Sequence, residues 1–360
     1  MSQAPIDQAT RIRPGEELNR EALDAYLRAA VPGFGGVTAL RQFPGGYSNL
    51  TYLVESAQGD FVLRRPPLGA NIRSAHDMGR EFRVLSLLQP VYAQIPAPVH
   101  YCESDTVIGA PFYLMRRVNG VILRASQPPS KTIATPEAMG ALSAAAIDNL
   151  VLLHSLELEQ SGLAQLGKPE GYVQRQVEGW IRRYYQAETD SVPGMNAIAA
   201  WLPSHLPPDG APTLIHNDYK YDNLVLDPAD WGKIIAVLDW EMATIGDPLM
   251  DLGTSLAYWT ESHENPALRS FNLTSMSGNL SRMQALERYA MRSGRDVSSM
   301  LFYFAFACFK LGVIIQQIYA RYKKGLTQDP RFAGLLDVVS ACADHGTRAL
   351  DRDRIYELYG

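Results

Sequence analysis

Residues 214–224 read Leu214-Ile215-His216-Asn217-Asp218-Tyr219-Lys220-Tyr221-Asp222-Asn223-Leu224. The pattern H-x-D-x-x-x-x-N lies between two apolar runs. Val237-Leu238-Asp239-Trp240-Glu241, an apolar run ending in Asp, follows at hairpin distance. A single Asp in a loop is ordinarily a turn or cap residue, and H-x-D alone is common. The whole set at this spacing supplies the parts of a phosphoryl-transfer site. Such a reaction needs a carboxylate beside the acceptor hydroxyl and oxygen ligands that hold Mg²⁺ against nucleotide phosphates. Asp218 suits the first task, and Asn223 and Asp239 the second. Lys220, two residues past Asp218, is spaced to set an ammonium on the transferred phosphate.

Working outward, the flanks of the motif differ in kind. Upstream, the chain reads as a strand-rich unit with one or two helices. An amphipathic helix is expected over 16–31, and strands over 37–43, 50–56, 61–65 and 111–118. A helix over 75–88 follows from the spacing of Met78, Phe82, Leu85 and Leu88. From Gly120 onward helical patterns dominate, over 136–156, 172–187, 197–206, 247–259, 280–292, 297–323 and 331–350. A short hairpin, 224–226 with 234–238, interrupts them. The reading is an α+β chain of two lobes, 1–117 and 118–360, with a narrow join where small-molecule sites often lie.

Composition narrows the function. The 360 residues carry 33 Lys plus Arg against 38 Asp plus Glu, a net charge of −5. With no basic run, nucleic-acid binding is not expected. Three scattered cysteines without a CxxC exclude a disulfide framework and fit a reducing compartment. No secretory signal is visible at the start, so a cytoplasmic location is expected. The most apolar stretch, 301–318, is interrupted by Lys310 and Gln316-Gln317. It reads as a buried helix rather than a membrane span.

Together these motifs resemble the aminoglycoside phosphotransferase-like kinases, which share the protein-kinase-like bilobal fold. The likeness runs from about residue 37 to residue 256. LDWEMATIGDPLMDL at 238–252 is similar to that family's metal-binding strand and following helix. PGGYSNLTYLV at 44–54, FVLRRPPLG at 61–69, SAHDMGREFRVL at 74–85 and IGAPFYLM at 108–115 resemble the kinase-like domain fused to, or encoded beside, certain acyl-CoA dehydrogenases. These 360 residues are not expected to include a dehydrogenase portion.

The resemblance implies ATP and Mg²⁺ as cofactors. It implies that Gly45, Gly46, Ser48 and Asn49 form a loop over the phosphates. Arg64 stands where the family usually has a phosphate-binding Lys, with Glu81 as its ion-pair partner. Arg is planar and bidentate where Lys is a compact point charge, so nucleotide affinity or choice is affected. Arg65 is the alternative, but strand alternation turns it to the other face. The backbone at Arg116 and Val118 matches the family's adenine-binding hinge. Asp251 matches an Asp that braces the catalytic loop. Asp247, before Pro248, reads equally as an N-cap or an active-site group.

The acceptor is less legible. From 261 to 296 the bases Arg269, Arg282, Arg288, Arg292 and Arg295 slightly outnumber the acids Glu261, Glu264, Glu287 and Asp296. Arg182, Arg183, Arg321, Lys323 and Lys324 add to them. That balance suits a small anionic acceptor, such as a hydroxy acid or its CoA thioester, better than a polycation. Leu301-Phe302-Tyr303-Phe304-Ala305-Phe306 reads as core packing, with an acyl pocket as its functional alternative. The expectation is an ATP-dependent small-molecule kinase with a separate acyl-CoA dehydrogenase as a candidate partner. The alternatives are an aminoglycoside O-phosphotransferase and a non-catalytic nucleotide-binding protein of the same fold.

Overall fold

The structure is a computed structural model, and it describes residues 7–44, 49–67, 77–327 and 329–359. The first part comprises α1 (Arg20–Ala30), β1 (Val37–Gln42), β2 (Leu50–Ser56), β3 (Phe61–Arg65), α2 (Met78–Leu88), β4 (Pro98–Cys102) and β5 (Phe112–Arg116). The strands form one antiparallel sheet in the order β1-β2-β3-β5-β4. Period-2 alternation divides their side chains between two cores. Tyr52, Val54, Phe61, Leu63, Phe112 and Leu114 pack with Leu23 and Leu27 of α1. Leu53, Val62, Tyr113 and Met115 face α2 and join the large core that continues into the helical part. The same parity sends Arg64 to the inner face and Arg65 outward, where its guanidinium donates to the Ile108 carbonyl.

The second part comprises α3 (Pro136–His154), α4 (Tyr172–Ala187), α5 (Pro193–Trp201), β6 (Thr213–Ile215), β7 (Leu224–Asp227), β8 (Asp230–Val237), β9 (Thr244–Gly246), α6 (Pro248–Tyr258), α7 (Pro266–Arg269), α8 (Arg282–Ser293), α9 (Met300–Lys323) and α10 (Leu335–Arg352). Helix starts follow capping chemistry. Thr135, Asp247 and Ser281 accept from backbone amides of the first turn, and Ser281 with Gln284 forms a capping box. β7 pairs with β8, and β6 with β9. By length and composition α9 could cross a membrane, yet 78% of its most apolar window is buried in the fold.

Several boundaries differ from expectation. β4 and β9 were not expected, and β6 was expected only as an apolar strand before His216, without bounds. β4 is a half-buried edge strand opened by Pro98, without alternation. β6 and β9 have three residues each, too few for a period. α5 starts at Pro193, which takes the first-turn position, and its expected end to residue 206 is a separate 3₁₀ turn. β8 ends at Val237, so Asp239 lies in the turn beyond it, at φ 66°.

Candidate active site

The loop between β6 and β7 carries the H-x-D motif and is held on all sides. Asp251, in the first turn of α6, accepts from the amide of His216 at 2.6 Å and from that of Asn217 at 2.7 Å. His154 lies against the same carboxylate at 3.2 Å and is bonded in turn to the Tyr289 hydroxyl. Burial opposes the charge on Asp251, but His154 and His216, the latter also through its amide, hold its carboxyl below the ordinary range. The His216 ring donates from Nε2 to the Leu238 carbonyl, tying the loop to the strand before Asp239. Asn217 sits at φ 68°, a left-handed conformation that Asn tolerates better than most residues.

Asp218 is thereby presented beside Asn223, whose Nδ2 donates to its carbonyl at 2.8 Å and to its carboxylate at 3.0 Å. Lys220 Nζ is 3.2 Å from the same carboxylate, and 4.9 Å above the Tyr258 ring. Burial works against the Lys220 charge; Tyr258, Asp218 and Asp222 outweigh it and raise its pKa. The Asp222 pKa is also raised, here toward the neutral form, because burial outweighs the pull of Lys220.

The opposite wall belongs to the sheet. Arg64 on β3 donates from one nitrogen to Glu81 of α2 at 2.7 Å and from the other to Asp239 at 3.0 Å. Glu81 also accepts from the Trp240 amide at 3.3 Å. One guanidinium thus joins sheet, α2 and the turn after β8. Burial disfavours its charge, yet Glu81, with Tyr113, Asp239 and Glu241 behind it, keeps it firmly protonated. Asp239, despite burial, is held below the usual carboxylate range chiefly by Arg64.

Between the walls lies a cleft. Val62, Tyr113, Met115 and Val118 line one side, Val225 and Leu238 the other, and Arg64, Asn223 and Asp239 stand at its polar end. Two apolar faces with charges at one end suit a flat base carrying phosphates. Not every expected residue lines it: Asp218 and Lys220 stand behind Asn223, through the Asn223–Asp218 bond and the Lys220–Asp218 pair. Arg116 does not line the cleft. Its amide donates to the Ala97 carbonyl, and its guanidinium lies 4.3 Å from the centroid of the Phe61 ring, on the sheet face that packs against α1. Asn49 is buried and donates to Glu241 at 2.7 Å, outside the cleft lining. Gly45, Gly46 and Ser48 lie outside the described residues. Asp247 caps α6 and also accepts from Tyr303 at 2.8 Å, which matches the capping role.

The basic residues counted between 261 and 296 do not face the cleft. Arg282 is fully buried against Glu264, and Arg288 and Arg292 both engage Asp148. Arg269 and Arg295 donate to the carbonyls of Ser262 and His154. The charge balance of that segment is therefore structural and says nothing about the acceptor. Phe302, Tyr303, Phe304 and Phe306 are buried, so their segment is core. Sequence reading missed Tyr258, Asp222, Asp7 and Arg124. Arg117 donates to the Asp7 carbonyl and Arg124 to its carboxylate, and all three line the cleft. Asp222 lies within the motif as one of its variable positions; the others carry no local pattern, because distant segments bring them in.

Comparison with known proteins agrees with this geometry. A family model described as the phosphotransferase enzyme family matches residues 39–286. Mouse acyl-CoA dehydrogenase family member 10 is 35% identical over 319 residues, 87% of this chain and 29% of its own length. The chain spans under half the length of the curated relatives it matches. A crystal structure from Ralstonia eutropha, provisionally described as an aminoglycoside phosphotransferase, superposes with a TM-score of 0.79. It is 29% identical and covers 93% of this chain and 99% of its own. Spectinomycin phosphotransferase, solved with ADP and spectinomycin, shares the fold at a TM-score of 0.57 and 13% identity, covering 96% of this chain and 98% of its own. The protein-kinase-like α+β fold and the extent of the family match lead to one conclusion: the chain belongs to the phosphotransferase enzyme family.

Proposed function

We propose that this chain is a kinase that transfers the γ-phosphate of ATP to the hydroxyl of a small, anionic acceptor, a hydroxy acid or hydroxyacyl-CoA. One observation carries the reaction type. Asn223, Asp239 and the Arg64–Glu81 pair, from separate segments of the chain, line one cleft, and Asn223 holds the Asp218 carboxylate beside it. The acceptor class is supported by likeness to proteins named as acyl-CoA dehydrogenase family members. An acyl-CoA dehydrogenase, as a separate chain or an attached domain, is the proposed partner.

In this reading Asp218 orients the acceptor hydroxyl and accepts its proton. Asn223 fixes the carboxylate from one side and Lys220 from the other, and Lys220 also steadies the transferred phosphoryl group. Arg64, anchored by Glu81, holds nucleotide phosphates. Positioning and charge neutralisation supply most of the rate in such transfers. The donor set fits Mg²⁺. Asn223 spends its Nδ2 on Asp218, which leaves its amide oxygen for a ligand, and Asp239 brings a carboxylate held in its ionised form by Arg64. Bound there, Mg²⁺ would neutralise phosphate charge.

The test is nucleotide consumption with Mg-ATP across hydroxyacyl-CoAs, free hydroxy acids and aminoglycosides, with Asp218→Ala as control. Turnover on an acyl acceptor, lost in the variant while nucleotide still raises the melting midpoint, is expected. Turnover on aminoglycosides alone would overturn the acceptor class. Nucleotide binding with silence on every acceptor would favour a non-catalytic role. Equal loss of binding and transfer in Asp218→Ala would remove Asp218 from its assigned task.

A further inference from the structure

Lys310 is the single charged residue between Met300 and Ile318 of α9. It is only 4% exposed. A buried ammonium is costly unless dipoles or anions compensate it. Its Nζ donates to the Asn217 carbonyl at 3.2 Å and lies 5.9 Å from the Trp180 ring centroid. The backbone amide and side-chain Nδ2 of Asn217 are already engaged. Its amide meets Asp251, and its Nδ2 meets the Met242 carbonyl at 3.1 Å and the Tyr172 hydroxyl at 3.3 Å. The carbonyl that Lys310 holds belongs to the peptide unit leading into Asp218, whose own amide points at His216 Nδ1 at 3.3 Å. Any rotation of this peptide re-aims the Asp218 side chain.

We propose that Lys310 is a positioning residue for phosphoryl transfer: from the core of the helical lobe its ammonium locks the Asn217–Asp218 peptide and so aims Asp218. The proposal rests on the reading of Asp218 as the acceptor-side carboxylate. The groups facing the ammonium are Asp218 in the loop, Asp251 on α6, and Trp180 and Arg183 on α4. Burial lowers its pKa below that of free lysine, the two carboxylates oppose that fall, and Arg183 adds to it. The charge is therefore lost as pH rises through a value below the ordinary lysine range. The Lys220 charge survives to higher pH, because its pKa is raised.

Lys310→Met and Lys310→Arg test this in the full chain. Met fills the space of the stem without charge, so the melting midpoint is expected to stay close to wild type. Amide hydrogen exchange at 216–219 is expected to rise by about tenfold or more. The kcat is expected to fall by about tenfold or more with KM for ATP within about twofold, and Lys310→Arg to recover part of that loss. The alkaline decline of wild-type kcat should disappear in Lys310→Met. Unchanged loop exchange overturns the proposal whatever the kinetics. So does a loss of kcat matched by loss of ATP affinity and a collapsed midpoint. If wild type phosphorylates no acceptor, the proposed function falls, while the exchange experiment still decides whether Lys310 locks the loop.

Discussion

Arg64 shows how much one side chain holds together. Its guanidinium reaches Glu81 and Asp239 at once because a planar fork presents parallel donors, which an ammonium does not. With Glu81 1% exposed at its side chain, removing the cation leaves a carboxylate buried and unpaired. Arg64→Met is expected to cost about 3–5 kcal/mol in urea unfolding and to abolish the nucleotide-dependent thermal shift. Arg64→Lys should keep nucleotide binding with weaker affinity. Asp251 is a second such residue. Its two charge-assisted bonds to the His216 and Asn217 amides are each worth about 1.5–3 kcal/mol, and Asn in its place offers a single acceptor oxygen to two donors. Asp251→Asn is expected to destabilise by about 3 kcal/mol and to slow transfer. The native carboxyl pKa is lowered, so its stabilisation is complete above the unfolded value of about 3.9. It is lost as pH falls from there through the lower folded value, a loss the variant should not show in acid denaturation.

At the scale of elements, the site depends on how closely α6 and α9 approach. A Cβ on Gly253 of α6 would lie 2.8 Å from the Tyr303 carbonyl of α9, so glycine sets the distance between the helices that carry Asp251 and Lys310. Gly253→Ala gains about 1 kcal/mol of helix propensity, but backbone cannot retreat as a side-chain tip can. The expected outcome is a net loss of about 1–3 kcal/mol in denaturant unfolding, with reduced kcat from the displaced loop. Long helices and the β2–β3 hairpin were legible because they repeat a period over many residues. β9 was not, because three residues hold no period and its stability comes from pairing with β6.

For the whole molecule, one buried group that contributes pH sensitivity near neutrality is His345 of α10. Arg282 can only donate, so it meets an unprotonated Nε2 at 3.2 Å, which leaves the ring proton on Nδ1 toward Tyr359. Burial, with Arg282 and Arg348 adding to it, pushes the His345 pKa well below 6.5. The unfolded chain then binds a proton that the folded one refuses. Stability is full above the unfolded pKa and falls as pH drops below it, by about 1.4 kcal/mol between pH 7.5 and 5.5 for one such group. Chemical denaturation across that range should show the slope, and His345→Gln should flatten it.

The reaction type was readable in the chain itself. The H-x-D-x-x-x-x-N spacing, the apolar runs around it and the Asp after the hairpin are local, and the sheet sorts Arg64 from Arg65 by parity alone. Side-chain charge was local information too, but its use was not. The arginines of 261–296 that looked like an anionic-acceptor surface are bound to Glu264, Asp148 and backbone carbonyls. Lys310, which looked like an interruption of a core helix, donates to the Asn217 carbonyl in the loop between β6 and β7. Composition counts charges without assigning partners. Partners are settled only when helices distant in sequence pack together and exclude water, because a buried charge must find its compensation wherever the fold brings it.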